Sequence, residues 1–220
     1  MDTSVNSFSL LELFQMGGVI MWPLLAFSIA AVAITIERGF YLFYHDLKLE
    51  DLKKKSLAFI KEGNIGAGIE FLEGQNRRKL GVPVLLTLLK RNKLSEYRLE
   101  KAVETEAEKC VSSLGSGFSF LTALASISPL TGFLGTVTGM IGAFRSIAEA
   151  VDVNAQIVAA GIYEALITTV FGLIIAILAM SAHSLFSHIV DKFTSEMEAA
   201  CSELIIVLAE SSGAKKSGGR

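Results

Sequence analysis

Cysteine is nearly missing from this chain. Cys110 and Cys201 are the only two, far apart and each in a polar helical context. A disulfide framework and a Cys-x-x-Cys metal or redox site are thereby excluded, and two unpaired thiols suit the cytosolic side of a membrane. Excess charge of either sign is absent too: the formal net charge is -2. That removes the concentrated basic face that nucleic-acid binding requires. There is no internal repeat, and low complexity is confined to the last ten residues, SSGAKKSGGR. Lysine and arginine are missing from residues 1–16, and three long stretches are almost free of charge.

Those three stretches set the class. With 51% hydrophobic residues, 19% charged residues and a mean hydropathy of +0.52, the 220-residue chain is too apolar for an ordinary soluble domain. Gly17 to Ile36 is an uncharged run of 20 residues closed by Glu37 and Arg38. At roughly 1.5 Å per residue it spans about 30 Å of hydrocarbon. A cleaved leader fits poorly, because no basic residue precedes the run and it is longer than a usual signal core. Leu114 to Ile147 is uncharged until Arg145, and Ile157 to Ile189 is apolar apart from Glu164 and two histidines near its far end. The polar turn of residues 148–156 between them allows only an antiparallel hairpin.

The reading is an all-α integral membrane protein with three transmembrane helices. An amphipathic segment (1–16) precedes span one (17–37). A polar helical domain (38–113) follows, rich in Lys and Glu and broken by glycines, with its last helix running through Ser95 to Cys110. Span two (114–147), a turn (148–156) and span three (157–190) come next. A C-terminal helix and flexible tail (191–220) keep the rhythm Phe193, Met197, Cys201, Leu204 and Leu208. Spans two and three are expected to run on into the cytosolic helical domain. Lys and Arg number none in 1–16, 15 in 38–113, none in 148–156 and 4 in 191–220. The positive-inside rule therefore puts the N-terminus and hairpin turn outside, and the middle domain and tail in the cytosol.

The hairpin carries the functional signal. Ser128, Gly132, Gly135, Gly139, Gly142 and Ser146 recur at spacings of 4, 3, 4, 3 and 4, which places them on one helical stripe. Span three repeats the device with Gly161, Ala165, Thr168, Gly172, Ala176 and Ala179. Stripes without large side chains let backbones approach, and simple packing within one chain accounts for the glycines alone. It does not account for Thr131, Thr136 and Thr138 on span two, or Thr168 and Thr169 and the acid Glu164 on span three. Each threonine taken singly reads as structural, because it can bond the carbonyl four residues back. A carboxylate differs, since ionised in hydrocarbon it costs roughly 2.5–3.5 kcal/mol on insertion scales, so Glu164 should face protein or a watery cavity. One carboxylate does not complete a proton relay across a bilayer, so a second ionisable group must come from a partner. Glu164 lies about 40° from Thr168 and about 140° from Thr169 around the helix, so both threonines cannot share one line with the acid.

Three segments resemble the family that includes ExbB, TolQ and the flagellar stator subunit MotA. Gly17-Gly-Val-Ile-Met-Trp-Pro-Leu-Leu with Ile36-Glu37-Arg38 resembles the family's GPVMWPLL and IER pattern. Ser128 to Ile141 with Ala143-Phe144, including Pro129, resembles APLLGLLGTVxGMIxAF, with Ser128 standing for Ala and Thr131 for an apolar residue. Gly161 to Leu173 resembles GIAEALxxTxxGL. The resemblance implies a subunit of a proton-driven motor in the bacterial inner membrane, neither an enzyme nor a holder of cofactor or metal. It implies a homopentameric ring around a dimeric ExbD- or TolR-like single-span partner bearing one membrane Asp. A TonB- or TolA-like envelope-spanning protein would lie beyond. Thr136 and Thr169 match the family's pore hydroxyls and Glu164 the acid of its third-span motif, while Thr138 and Thr168 are extra hydroxyls. Pro129, Gly132, Gly135, Gly139, Gly142, Gly161 and Gly172 would serve helix packing. A fourth span, usual in the stator branch, is missing, which favours the ExbB and TolQ type. The alternatives are a MotA-like flagellar or gliding stator subunit, a non-conducting scaffold, or an enzyme using Glu164. The last is disfavoured because His183 and His188 lie at the far end of span three and no metal-ligand cluster surrounds the acid.

Overall fold

The computed structural model describes residues 10–76, 78–149 and 155–217. The first nine residues, most of the hairpin turn and the last three residues of the tail lie outside them. The described chain is helical: α1 (Leu10–Met16), α2 (Met21–Tyr44), α3 (Glu50–Lys61), α4 (Ile65–Glu73), α5 (Val82–Lys90), α6 (Glu96–Leu114), α7 (Phe118–Glu149) and α8 (Ala155–Ser217). Three of them, α2, α7 and α8, are long and apolar enough to cross a membrane.

Two differences from the sequence reading concern where helices stop. The second span does not run on into the preceding polar helix as one rod. Helix α6 ends at Leu114 and α7 begins at Phe118. Between them Gly117 takes φ 84°, a left-handed conformation that glycine adopts without a Cβ penalty. The third span does continue, because α8 is a single helix of 63 residues reaching Ser217. It thus extends through most of the stretch read as a flexible tail.

The chain divides into two compact units, Met1–Glu37 with Gly117–Ser184, and Arg38–Ser116 with Leu185–Arg220. In the second unit, Leu52, Ile60, Leu72, Leu85, Leu88, Leu99 and Val103 from α3 to α6 are buried, as are Val190, Phe193, Met197, Leu204 and Leu208 of α8. Short helices are held by local devices. The Asn64 side chain caps α4 by accepting from the Ala67 N–H at 3.2 Å. Pro83 occupies the first turn of α5, where a missing N–H does no harm. Gly68 lets α4 approach Leu89 Cδ1 and Phe59 Cβ, which a Cβ at that position would meet at 3.1 and 3.2 Å. Cys110 donates its thiol to the Leu80 carbonyl at 3.4 Å. Burial pushes that thiol up to about 11, so it stays protonated and unreactive at neutral pH. The Ser56 hydroxyl is fully buried and, among the described residues, is the one buried side-chain polar atom without a hydrogen-bond partner.

In the first unit the dominant feature is the contact of α7 with α8. A Cβ on Gly132 would lie 2.8 Å from the Thr168 carbonyl and 3.0 Å from the Thr169 Cα. On Gly172 it would lie 2.5 Å from the Ser128 carbonyl and 3.2 Å from the Gly132 Cα, and on Gly139 3.2 Å from the Gly161 carbonyl. Rising numbers on α7 meet falling numbers on α8, so the pair is antiparallel. Backbone touches backbone at these points, and no side chain could swing away to admit a methyl group.

Two outcomes follow, both read by thermal unfolding in detergent micelles. Gly172→Ala must push the helices apart and is expected to cost about 1–3 kcal/mol, the range for overpacking. Gly142→Ala is expected to cost nothing, because a Cβ there meets no atom within 4 Å. Equal melting temperatures for the two variants would remove the contact from its structural role. Ser56→Ala, which deletes an unsatisfied hydroxyl, should raise stability by about 1 kcal/mol, and a lowered melting temperature would show that the hydroxyl is bonded after all.

Candidate functional site

In hydrocarbon no water rescues an unpaired hydroxyl, so each one on α7 and α8 must find its partner inside the protein. Most turn back on their own helix. Thr131 donates to the Ile127 carbonyl at 3.0 Å, and Ser146 to Gly142 at 3.0 Å. Thr138, exposed, is shared between the carbonyls of Leu134 at 3.0 Å and Gly135 at 3.1 Å. Thr136 is half-buried and donates to Phe133 at 2.6 Å. Pro129 has no N–H to give to the carbonyl four residues back. Beside it Ser128, fully buried, donates to Leu124 at 2.6 Å.

Thr168 and Thr169 behave differently because a glycine faces them. Thr168 is 1% exposed and reaches both the Ala165 carbonyl of its own helix at 2.8 Å and the Gly132 carbonyl of α7 at 3.2 Å. Thr169, half-buried, donates to the same Gly132 carbonyl at 3.1 Å. Gly132 is thus the point where α7 and α8 are tied by hydrogen bonds as well as by contact. Gly135 leaves the space that the Thr168 side chain fills. Thr168 and Thr169 therefore share one carbonyl, that of Gly132, whereas Thr136 bonds only within its own helix, to Phe133.

Glu164 stands apart from this group. It is half-buried and lines a cavity of about 860 Å³ with Thr138, Gly142, Ser146, Gly161 and Tyr163. Its carboxylate oxygen occupies the space where a Cβ of residue 18 would be. Gly142, on the same stripe as the contact glycines by spacing, opens onto this cavity and not onto α8. The sequence reading missed Gly18, which sits at φ 65° in the turn before α2. The pair Gly17-Gly18 at the head of an apolar run was the available signal, since two adjacent glycines there serve no helix. It also missed the Gly132 carbonyl as an acceptor, for which a glycine opposite two adjacent threonines is the only trace. Among the described residues no group of three His, Cys, Asp or Glu is placed to hold a metal ion.

The remaining surface of the pair is apolar. Leu130, Phe133, Val137, Ile141 and Phe144 of α7 and Leu166, Val170, Leu173 and Ile177 of α8 are all exposed. A surface of this kind is stable only against lipid or other protein.

Residues 75–199 match the model of the MotA/TolQ/ExbB proton channel family. The chain is 30% identical over 208 residues to a putative biopolymer transport protein ExbB-like 1 of Synechocystis, with 91% of this chain and 80% of that protein covered. It is 27% identical over 208 residues to the biopolymer transport protein ExbB of Pseudomonas putida, covering 87% and 59%. To the Tol-Pal system protein TolQ of Haemophilus influenzae it is 39% identical over 87 residues, 40% and 38% of the two chains. Three membrane-length helices and matches of this extent lead to one statement: the chain is a multi-pass membrane protein that belongs to the MotA/TolQ/ExbB proton channel family.

Proposed function

We propose that this chain is the ring-forming subunit of a proton-driven motor of the ExbB and TolQ type. Five copies surround the transmembrane helices of a dimeric ExbD- or TolR-like partner in the bacterial inner membrane. Proton flow is converted into work on the envelope through a TonB- or TolA-like protein. The N-terminus and hairpin turn lie outside and the polar helices inside, in keeping with the 15 basic residues of 38–113. The observation that carries the reading is chemical. The α7–α8 pair presents hydroxyls along an apolar surface whose body holds a single carboxylate, Glu164, so the carrier of charge must enter from another chain. Relatives named biopolymer transport protein ExbB support the same assignment.

The hydroxyl geometry supports a carrier that is received in its neutral state. Thr136 and Thr169 already donate their protons to the carbonyls of Phe133 and Gly132. What each keeps to offer is its oxygen lone pairs, which accept but cannot donate. A partner Asp that arrives protonated can give its O–H to such an oxygen and cross the apolar region satisfied. An ionised Asp finds no donor there and stays in the aqueous access on one side. Protonation on one side and release on the other then drive the relative rotation of ring and partner. Each proton moving down 100 mV supplies about 2.3 kcal/mol. Thr168, Thr138 and Glu164 complete the ion pathway, Thr168 by fixing the α7–α8 register and the other two on the cavity side.

Thr169→Ala should keep assembly, because Thr168 still ties the helices, and should lower proton flux through the reconstituted complex about tenfold. That equals roughly 1.4 kcal/mol, within the range of one hydrogen bond. Thr169→Ser should restore most of the flux. Full activity in the alanine variant would sink the assignment, and a complex that assembles without any flux would favour a scaffold.

A further inference from the structure

The exposed apolar ridge of α2 does not stop where the charges begin. Ile29, Val32, Ile36, Phe40 and Phe43 recur at spacings of 3, 4, 4 and 3, and all are exposed, Phe40 at 73% and Phe43 at 92%. By the 3.6 periodicity Arg38 lies on the opposite side of the helix from this ridge, and Glu37 on its flank. Arg38 is engaged there, donating to the Ser113 carbonyl at 3.3 Å with its guanidinium 4.9 Å from the Tyr41 ring centroid. The ridge ends at Tyr44, which is exposed, as is Trp22 at the other end of α2. Trp22 and Tyr44 are 22 residues apart along one helix. At roughly 1.5 Å per residue that is about 33 Å, close to the roughly 30 Å of hydrocarbon in a bilayer. Amphipathic aromatic rings gather at the headgroup level of each leaflet, so this spacing sets Tyr44 at one of them.

A second guanidinium stands at that level. Arg78 lies over the Tyr44 ring, 4.1 Å from its centroid. The same ring is met edge-on by His45, with centroids 5.6 Å apart. His45 packs in turn on Tyr41 at 4.3 Å and donates its Nδ1 hydrogen to the Tyr41 carbonyl at 2.9 Å. The backbone that carries Arg78 is held as well. Its carbonyl accepts the Asp46 N–H at 3.0 Å, and its N–H is donated to Asn76 Oδ1 at 3.1 Å. A guanidinium set over a ring still has its N–H donors at its edge, in a fork that matches phosphate oxygens. Among the described residues no carboxylate pairs with Arg78. Asp46, the acid of the same turn, accepts the Lys48 N–H through Oδ1 at 3.1 Å, and the Lys48 side chain is exposed beside it in sequence.

We propose that Arg78, seated on Tyr44, binds the phosphate of an anionic phospholipid whose acyl chains lie along the Phe40 and Phe43 ridge of α2. The edge of the guanidinium gives two parallel charge-assisted bonds to phosphate oxygens. Lys48 favours a headgroup of net negative charge. Lipid fits this place better than a water-soluble acidic partner, because the apolar ridge is continuous with a helix of membrane length. Through Arg78 the turn before α5 is tethered to the lipid surface. The leaflet is the cytosolic one by the orientation proposed above, and the site stands whichever way the chain is inserted.

The test has two parts, both on the full-length chain. In the first, Trp22→Phe is combined with Tyr44→Trp, so that the one indole of the chain stands at position 44 and still offers a ring to Arg78. The variant is placed in vesicles of phosphatidylcholine with one-fifth phosphatidylglycerol. Lipids brominated beside the carbonyl should quench this indole severalfold more than lipids brominated at the chain end or aqueous iodide. Strongest quenching by iodide or by chain-end bromine, or shielding from all three by a neighbouring copy, would overturn the site. In the second part the natural sequence in detergent is titrated with phosphatidylglycerol, phosphatidylcholine or inorganic phosphate, and thermal unfolding is followed. Phosphatidylglycerol should raise the melting temperature most. Arg78→Ala should weaken its apparent affinity about tenfold, as loss of a charge-assisted hydrogen bond implies. Arg78→Lys should recover only part, because an ammonium cannot give the forked pair. Equal shifts for the two lipids, or unchanged affinity in Arg78→Ala, would overturn the proposal. Inorganic phosphate that abolishes the lipid shift would assign Arg78 to a free anion and overturn it too. The quenching result needs no change at Arg78, so it stands even if that variant fails to fold, and neither part depends on proton flux.

Discussion

The backbones of α7 and α8 touch, and the site depends on that contact. Within a bilayer there is no hydrophobic gain from pressing one apolar helix on another, because lipid is as apolar as leucine. Association must come from close packing and from polar groups that have no other partner. Glycines at 132, 139, 161 and 172 supply the first by letting Cα and carbonyl atoms approach where any side chain would intrude. The same nakedness supplies the second. With no side chain over it, the Gly132 carbonyl is open to the hydroxyls of Thr168 and Thr169 across the helix pair. Packing and hydrogen bonding thus share one cause, the absent Cβ. Together they fix the register of α7 against α8, and with it the height of each hydroxyl along the pair.

Much of this architecture is legible in the residues because an uncharged run of membrane length has few alternatives. The helical core of the second unit is readable for a related reason. Phe193, Met197, Cys201, Leu204 and Leu208 recur at helical spacing, and all five are buried. The break between α6 and α7 hides inside an apolar stretch, where hydropathy is silent and only Gly115 and Gly117 mark it. Composition also misled at the C-terminus, where Ser, Gly and Lys read as disorder yet the helix runs to Ser217. Residues of that kind permit a helix without demanding one, so the preceding helical turns decide.

The site was legible in its inventory and not in its arrangement. Spacing alone puts Gly142 in line with Gly132, Gly135 and Gly139, yet it opens on a cavity. The helices still touch one residue on, where a Cβ on Gly161 would lie 2.5 Å from the Ala143 Cβ, so Gly142 sits on the flank of the seam and not at its centre. The hydroxyls divide for a similar reason. A threonine's nearest acceptor is a carbonyl one turn back, and local reasoning accounts for Thr131, Thr138 and Ser146. It cannot account for Thr169, whose acceptor lies 37 residues away and is available only because residue 132 is glycine. Gly18 is the extreme case, since its meaning comes from a carboxylate on α8 that no sequence neighbourhood contains.

Satisfying the threonine hydroxyls internally has an electrostatic consequence. On α7 and α8 the threonine protons point into carbonyls, which leaves oxygen lone pairs as the groups still available. A surface that accepts and does not donate discriminates between the two states of a carboxyl group more sharply than a mixed polar surface would. The neutral acid brings its own donor and gains a bond. The ionised acid meets acceptors like itself, and its transfer out of water is opposed twice, by desolvation and by the facing lone pairs. Had the threonines been left unbonded, they could rotate to donate, and the distinction would fade. The cross-helix ties at Gly132 therefore do more than hold two helices together. By occupying the Thr169 proton they set the polarity of the surface that a passing carrier would meet.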